Sequence, residues 1–222
     1  MSKLGYTLLS VLSSIAVLSQ ARNLPRQDVA ESTTNITALI DAWGALLQNP
    51  PPPPPPLSLN ALGAPESPWA DTEDDFTLTI SAYHTPDASK KRMISFLDHF
   101  RTFFIEEYDH AYKQSAEKNP IFPGGQLQFP DSKTGSSMTL LPLDPDPETG
   151  EVGKPIKFSH VMALGLLTTR WVYQFGDNER IPSAGTKLDK LVSKVGVKEV
   201  TIGVGTLTAG VEPSVAAPVG TS

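Results

Sequence analysis

Between residues 93 and 112 apolar side chains recur every three or four positions: Met93, Phe96, Leu97, Phe100, Phe103, Phe104, Tyr108, Ala111 and Tyr112. That spacing lays them along one side of an α-helix. Asp98, His99, Thr102, Glu106, Asp109, His110 and Lys113 take the other side. Four phenylalanines on one face do not stay in water, because burying each aromatic side chain is worth about 1.5–3 kcal/mol. The helix therefore needs a layer to lie on. Thr85-Pro86 supplies an N-cap with proline at the first helical position, and Asn119-Pro120 supplies a stop, so the helix is predicted to run from Pro86 to about Ala116.

Before it, Phe76, Leu78, Ile80 and Ala82 alternate with Thr77, Thr79 and Ser81, the period of a half-buried strand. After it, Gly124-Gly125 leads into a short strand over 126–129, a turn over 130–135 and a hairpin partner over 136–143. A second helix is predicted from Ser159 as its cap, with Phe158 folding back on the first turn. Val161, Leu164, Leu167 or Thr168, Trp171, Val172 and Phe175 form its buried stripe, and Gly176 ends it. Gly165 costs about 1 kcal/mol in helix propensity, which marks a close approach to another backbone. Leu188, Leu191, Val192 and Val195 predict a short third helix between Thr186 and Gly196, and Val200, Ile202 and Val204 alternate as a last strand. The expected fold is α+β: a two-layer sandwich, βαββαβ, with a four-stranded antiparallel sheet and helices on one face, the ferredoxin-like split βαβ.

Upstream, Ile36, Leu39, Ile40, Trp43, Leu46 and Leu47 form another helical stripe that Thr33, Thr34 or Asn35 can cap. Seven consecutive prolines follow at 50–56. They favour a polyproline II rod of about 22 Å, a stiff spacer that aromatic-lined grooves of the SH3 or WW kind could also recognise. Low-complexity sequence continues to residue 75, with Glu66, Asp71, Glu73, Asp74 and Asp75. The organisation read from this is a signal peptide over 1–21, an N-terminal segment over 22–48, a proline-rich acidic linker over 49–75, an α+β domain over 76–207 and a disordered tail over 208–222.

The leader rests on Lys3, the apolar run 8–18 and the small residues of Ser19-Gln20-Ala21, with cleavage expected after Ala21. No later run reaches about 20 apolar residues, and Arg170 interrupts 161–175, so the mature chain is expected to be secreted, extracellular and without a membrane anchor. The chain has no cysteine, so thiol nucleophiles, thiolate metal sites and disulfides are excluded and the fold must rest on packing. A net charge of −6 argues against nucleic acid as a partner. In a secreted chain, the sequon Asn35-Ile36-Thr37 makes Asn35 a candidate glycosylation site.

Chemistry is less forthcoming. His99, Glu106 and His110 share one arc of the long helix, but His99 and His110 lie about 16 Å apart along its axis, too far for one metal ion. The alternating acids Asp144, Asp146, Glu148 and Glu151 resemble a calcium loop yet lack its glycine at the sixth place and its glutamate at the twelfth. Ser159 and His160 are adjacent without a nucleophile elbow, and the side chains of Glu106 and Glu107 diverge by about 100° on a helix. Gly203-Val204-Gly205 ends a strand with no helix after it, unlike a nucleotide fingerprint. No metal or cofactor is therefore expected. The basic run Lys90-Lys91-Arg92 makes Lys91 and Arg92 a candidate processing site for kexin-type proteases, set against a solvated first stretch of helix.

The leader, the proline spacer, the βαββαβ pattern and Phe158-Ser159-His160 before an apolar helix together resemble small secreted proteins of filamentous fungi, mostly without assigned activity. The resemblance spans residues 76–205 and implies a non-enzymatic effector or surface-interaction protein with a protein or cell-wall partner. Some fungal killer toxins are similar in using α/β sandwiches, though those generally contain disulfides, which points to a toxin-like protein as the alternative. A secreted hydrolase is third. Intact-mass measurement of the secreted protein tests two of these expectations: one species beginning at Arg22 and continuous through Arg92 is expected, and a fragment beginning at Met93 would establish processing.

Overall fold

The computed structural model describes residues 35–50, 68–84, 86–115, 117–143, 153–176, 179–192 and 198–211. The leader, most of the proline run, the acidic loop from Asp144 to Glu151 and the tail beyond Val211 lie outside the described residues.

Strand alternation builds a sheet larger than the sequence suggests. Its strands are β1 (Trp69–Glu73), β2 (Phe76–Ser81), β4 (Leu127–Asp131), β5 (Ser136–Pro142), β7 (Ala184–Val192) and β8 (Lys198–Thr208). They run in the order β1-β2-β7-β8-β5-β4, and every neighbouring pair is antiparallel. Two further short strands, β3 (Pro86–Ser89) and β6 (Arg180–Pro182), pair separately. Helices α1 (Ile36–Gln48), α2 (Lys90–Ser115) and α3 (Phe158–Val172) complete the fold. The α+β class holds, while the four-stranded ferredoxin-like sheet is replaced by a six-stranded one.

Three differences account for this. The segment read as a third helix is strand β7: Leu78, Leu188 and Gly203 stand in register across β2, β7 and β8, and Ala184, Thr186 and Leu188 all point into the core. Its inward positions include Thr186 and, opposite Phe76, Lys190, so the strand period is masked; the extra residue of the bulge in the β7–β8 pair, Ile202, belongs to β8. The acidic stretch read as linker is β1, in which Trp69, Asp71 and Glu73 turn inward and half-bury. Arg170 of α3 reaches both carboxylates, 3.4 Å from Asp71 and closer still to Glu73. Third, Pro86 belongs to β3 opposite Pro182, so α2 starts at Lys90. The Ser89 hydroxyl accepts the Arg92 amide at 3.4 Å.

Helix α3 is buried on nearly every side. Among its residues only His160 and Arg170 escape full burial. A helix apolar all round has to be enclosed, and α3 lies against β1 and β2 on one side and against α1 and α2 on the other. From α2, Phe96, Phe100 and Phe103 converge on Phe129 of β4 at 4.9–5.6 Å between ring centroids, while Phe104 and Tyr108 meet Phe158 at the start of α3.

Helix α1 closes the core. Trp43 is fully buried, its indole seated on Gly165, where an added Cβ would collide with the ring. The close approach expected at Gly165 is therefore made by a side chain and not by another backbone. The Trp43 Nε1–H donates to Thr169 Oγ1 at 2.9 Å, and that hydroxyl donates to the Gly165 carbonyl at 2.8 Å. Phe100 and Phe104 meet the indole edge-on. Arg101 donates to the Ile40 carbonyl through Nε and Nη2, and the Tyr173 hydroxyl donates to Leu46 O at 3.0 Å.

Replacing Gly165 by alanine should destabilise the protein by about 1–3 kcal/mol, because overpacking against Trp43 exceeds the gain of up to about 1 kcal/mol in helix propensity. Urea unfolding measures it, and a neutral or stabilising Gly165→Ala would contradict the seating of Trp43.

Candidate functional site

The predicted chemical residues are dispersed and mostly held by local contacts. His99 does not belong to a solvated strip: its Nδ1 lies 2.9 Å from Oδ2 of Asp131, at the end of β4. His110, farther along α2, pairs through Nε2 with Gln114 at 2.8 Å. Glu106 is exposed and joins neither histidine. Among the described residues no three His, Asp or Glu side chains converge so as to hold a metal ion.

Ser159 is the second residue of α3 and not its cap. Asn119, in the segment that stops α2, clasps it: the Ser159 amide donates to Asn119 Oδ1 and the Asn119 Nδ2 donates to Ser159 Oγ, both at 3.0 Å. His160 accepts the Lys157 amide through Nδ1 at 3.1 Å and meets the Phe76 ring edge-on. Serine and histidine are thus turned to separate structural partners. In β8, Gly203 and Gly205 lie against the carbonyls of Leu141 and Thr139, where any Cβ would clash.

Lys91 and Arg92 fall in the first turn of α2, with Lys91 exposed and Arg92 donating from Nη1 to the Val211 carbonyl at 2.8 Å. The bond after Arg92 leads into fully buried Met93, so a protease reaches it only if this turn unwinds. Asn35 is exposed and is the cap of α1, its Oδ1 accepting the Ala38 amide at 3.3 Å.

The sequence reading missed two polar assemblies. Asp131 gathers His99, the Thr134 hydroxyl at 2.7 Å and the Lys133 amide at 3.0 Å. The Asp-x-x-Thr spacing of that turn is its one trace in the sequence. Burial alone would raise the Asp131 carboxyl, but the hydrogen bonds from His99, Thr134 and Lys133, with the charge of His99, outweigh it and hold the carboxyl below its ordinary value. The second assembly is on the sheet, where Asp189 is buried beneath Lys187 at 3.0 Å and accepts the Thr201 hydroxyl at 2.7 Å.

Asp189 belongs to the face of the sheet turned away from the helices. Register puts Ala70, Thr79, Lys187, Val204 and Leu141 in one row across five strands, and Ser81, Gly185, Thr206, Thr139 and Gln128 in the next. Hydroxyl pairs tie neighbouring strands together on this face, Thr72 with Thr77 at 2.9 Å and Thr139 with Thr206 at 3.0 Å. Leu141 and Val204, direct cross-strand neighbours, are 38% and 45% exposed, an apolar centre within a threonine-rich surface.

Set beside known proteins, the chain matches no protein-family model, no curated protein and no solved structure.

The depressed Asp131 carboxyl has a definite pH consequence. Its stabilising contribution is present above the unfolded-state value of about 3.9 and is lost as pH falls through the lower folded value. Urea unfolding between about pH 2 and 7 should show that loss for the native chain. Asp131→Asn should cost about 1–3 kcal/mol at neutral pH and flatten the acid limb; an unchanged acid limb would contradict the role given to Asp131.

Proposed function

We propose that the protein is a secreted, non-enzymatic interaction protein that binds a protein or cell-wall partner through the open face of its sheet. The observation that carries the reading is the Leu141–Val204 pair, two exposed aliphatic side chains side by side at the centre of a polar, hydrogen-bonded face. Exposed apolar groups rimmed by polar ones are the composition of binding surfaces. Threonines suit such a face because each offers a methyl for contact and a hydroxyl for hydrogen bonding, on a side chain with little rotamer freedom to lose. Secretion is supported by Lys3, the apolar run 8–18 and Ser19-Gln20-Ala21. A glycan on Asn35 is compatible with the cap, which engages the side-chain oxygen while a glycan is carried on the nitrogen.

A hydrolase is the second reading, favoured by the His99–Asp131 pair alone: a carboxylate that orients an imidazole on one side leaves the other ring nitrogen to handle a proton. His99 is about a third exposed, which keeps that nitrogen within reach of solvent.

Affinity capture from cell-wall and target-cell extracts separates the readings. Val204→Asp and Leu141→Asp should each weaken capture by at least about tenfold while leaving the unfolding transition in place, as for charges placed in the desolvated centre of an interface. Capture unchanged by both substitutions would overturn the open-face proposal, and substrate turnover abolished by His99→Gln would favour the hydrolase.

A further inference from the structure

His99 stands on α2 between two different surroundings. Each helical residue advances about 100°, so Phe96 and Phe103, which meet Phe129 of β4, lie about 60° and 40° to one side of His99, and Ser95 lies about 40° to the other. Asp131 ends β4 on the same inward face as Phe129, and its Oδ2 takes Nδ1 of His99 from that first side. A carboxylate only accepts, so Nδ1 donates and Nε2 is left as the basic nitrogen. Ser95 is exposed and precedes His99 by four residues, a spacing that makes two helical side chains neighbours, about 5–6 Å between Cβ atoms. Helical side chains lean toward the N-terminus, which tips the imidazole toward the turn that carries the serine. Thr102, the other hydroxyl on that side, donates to the Asp98 carbonyl at 3.0 Å. Among the described residues the Ser95 hydroxyl makes no hydrogen bond.

Carboxylate, imidazole and hydroxyl in that order are the arrangement that activates a serine, whatever the fold that presents it. A cation adjoins it. Arg92 is three residues before Ser95 on α2, with Nη1 held by the Val211 carbonyl at 2.8 Å and further N–H donors on the same guanidinium fork. We infer that Ser95, His99, Asp131 and Arg92 form an acyl-transfer site that cleaves carboxylic esters, with Ser95 as the nucleophile. The inference rests on the hydrolase reading above, to which it gives a nucleophile and a substrate class, and the site lies apart from the surface around Val204. Ser95 Oγ adds to the ester carbonyl carbon while its proton passes to His99 Nε2; Asp131 holds the imidazolium and Arg92 faces the oxyanion. The bond to the alcohol oxygen then breaks, and the alcohol leaves with the proton from His99. Water, deprotonated by the same nitrogen, releases the carboxylic acid from Ser95 and restores the hydroxyl. Esters suit an exposed serine with a single cation at the oxyanion, because an alcohol is an easier leaving group than the amine of an amide.

The absence of cysteine supplies a test that needs no substrate, because Ser95→Cys introduces the chain's one thiol at the nucleophile position. An imidazolium beside a thiol draws it below its usual value of about 8.5, so at about pH 6.5 iodoacetamide should alkylate Ser95→Cys at least about tenfold faster than the double variant Ser95→Cys/His99→Gln. In the native chain a fluorophosphonate should label Ser95, located by peptide mass, and p-nitrophenyl butyrate should be hydrolysed. Ser95→Ala should lower the turnover at least about a hundredfold and leave urea unfolding in place, since the side chain is exposed. Equal alkylation of the two thiol variants, or a native chain that neither takes the label nor turns over the ester, would overturn the inference. Turnover lost in His99→Gln but kept in Ser95→Ala would overturn it too, while the hydrolase reading would stand with water as the nucleophile.

Discussion

The enclosure of α3 is the constraint on which the other elements depend. A fifteen-residue helix with only His160 and Arg170 reaching partial exposure needs a covering on every side. The sheet supplies one, α2 a second and α1 a third. Each cover is matched to what α3 presents. Gly165 leaves a flat place for the indole of Trp43, Thr169 accepts its N–H, and Arg170 leaves the enclosure toward the carboxylates of β1. In a chain without cysteine, this packing and the aromatic cluster around Phe129 carry the stability that disulfides would otherwise supply.

The long helix α2 looks from its four phenylalanines like the centre of the fold, and in the structure it is one wall of it. Phe96, Phe100 and Phe104 are fully buried, Phe103 only partly, and the opposite side of α2 stays polar. Even so, its polar side is less inert than a solvated strip, because His99 ties α2 to the turn after β4 through Asp131. The same region carries the contact of Arg92 with Val211 and that of the Gly210 amide with Ser136, so the start of α2, the β4–β5 turn and the end of β8 are joined by polar bonds.

What was legible in the sequence follows the strength of the local pattern. Phe76 to Ile80, the β4–β5 hairpin and the cores of α1, α2 and α3 obey clean periods and form where those periods place them. β1 was hidden because its inward positions hold Asp71 and Glu73, acidic residues whose burial makes sense only with Arg170, a hundred positions away in sequence. β7 was hidden because Leu188, Leu191, Val192 and Val195 happen to fit a helical spacing while Thr186 occupies an inward strand position. Asp131 was missed for a related reason: its partner His99 comes from another element, and only the three-dimensional fold brings them together.

The open sheet face is the counterpart of this enclosed core. With α1, α2 and α3 on one side, β2, β7, β8 and β5 expose a threonine-rich surface on the other. That architecture stands or falls with α3. Native-state hydrogen exchange across a denaturant series tests it directly: amides from Met162 to Trp171 should exchange only through global unfolding, with the full unfolding free energy. Exchange of those amides at markedly lower free energy, by local opening, would contradict the enclosure of α3.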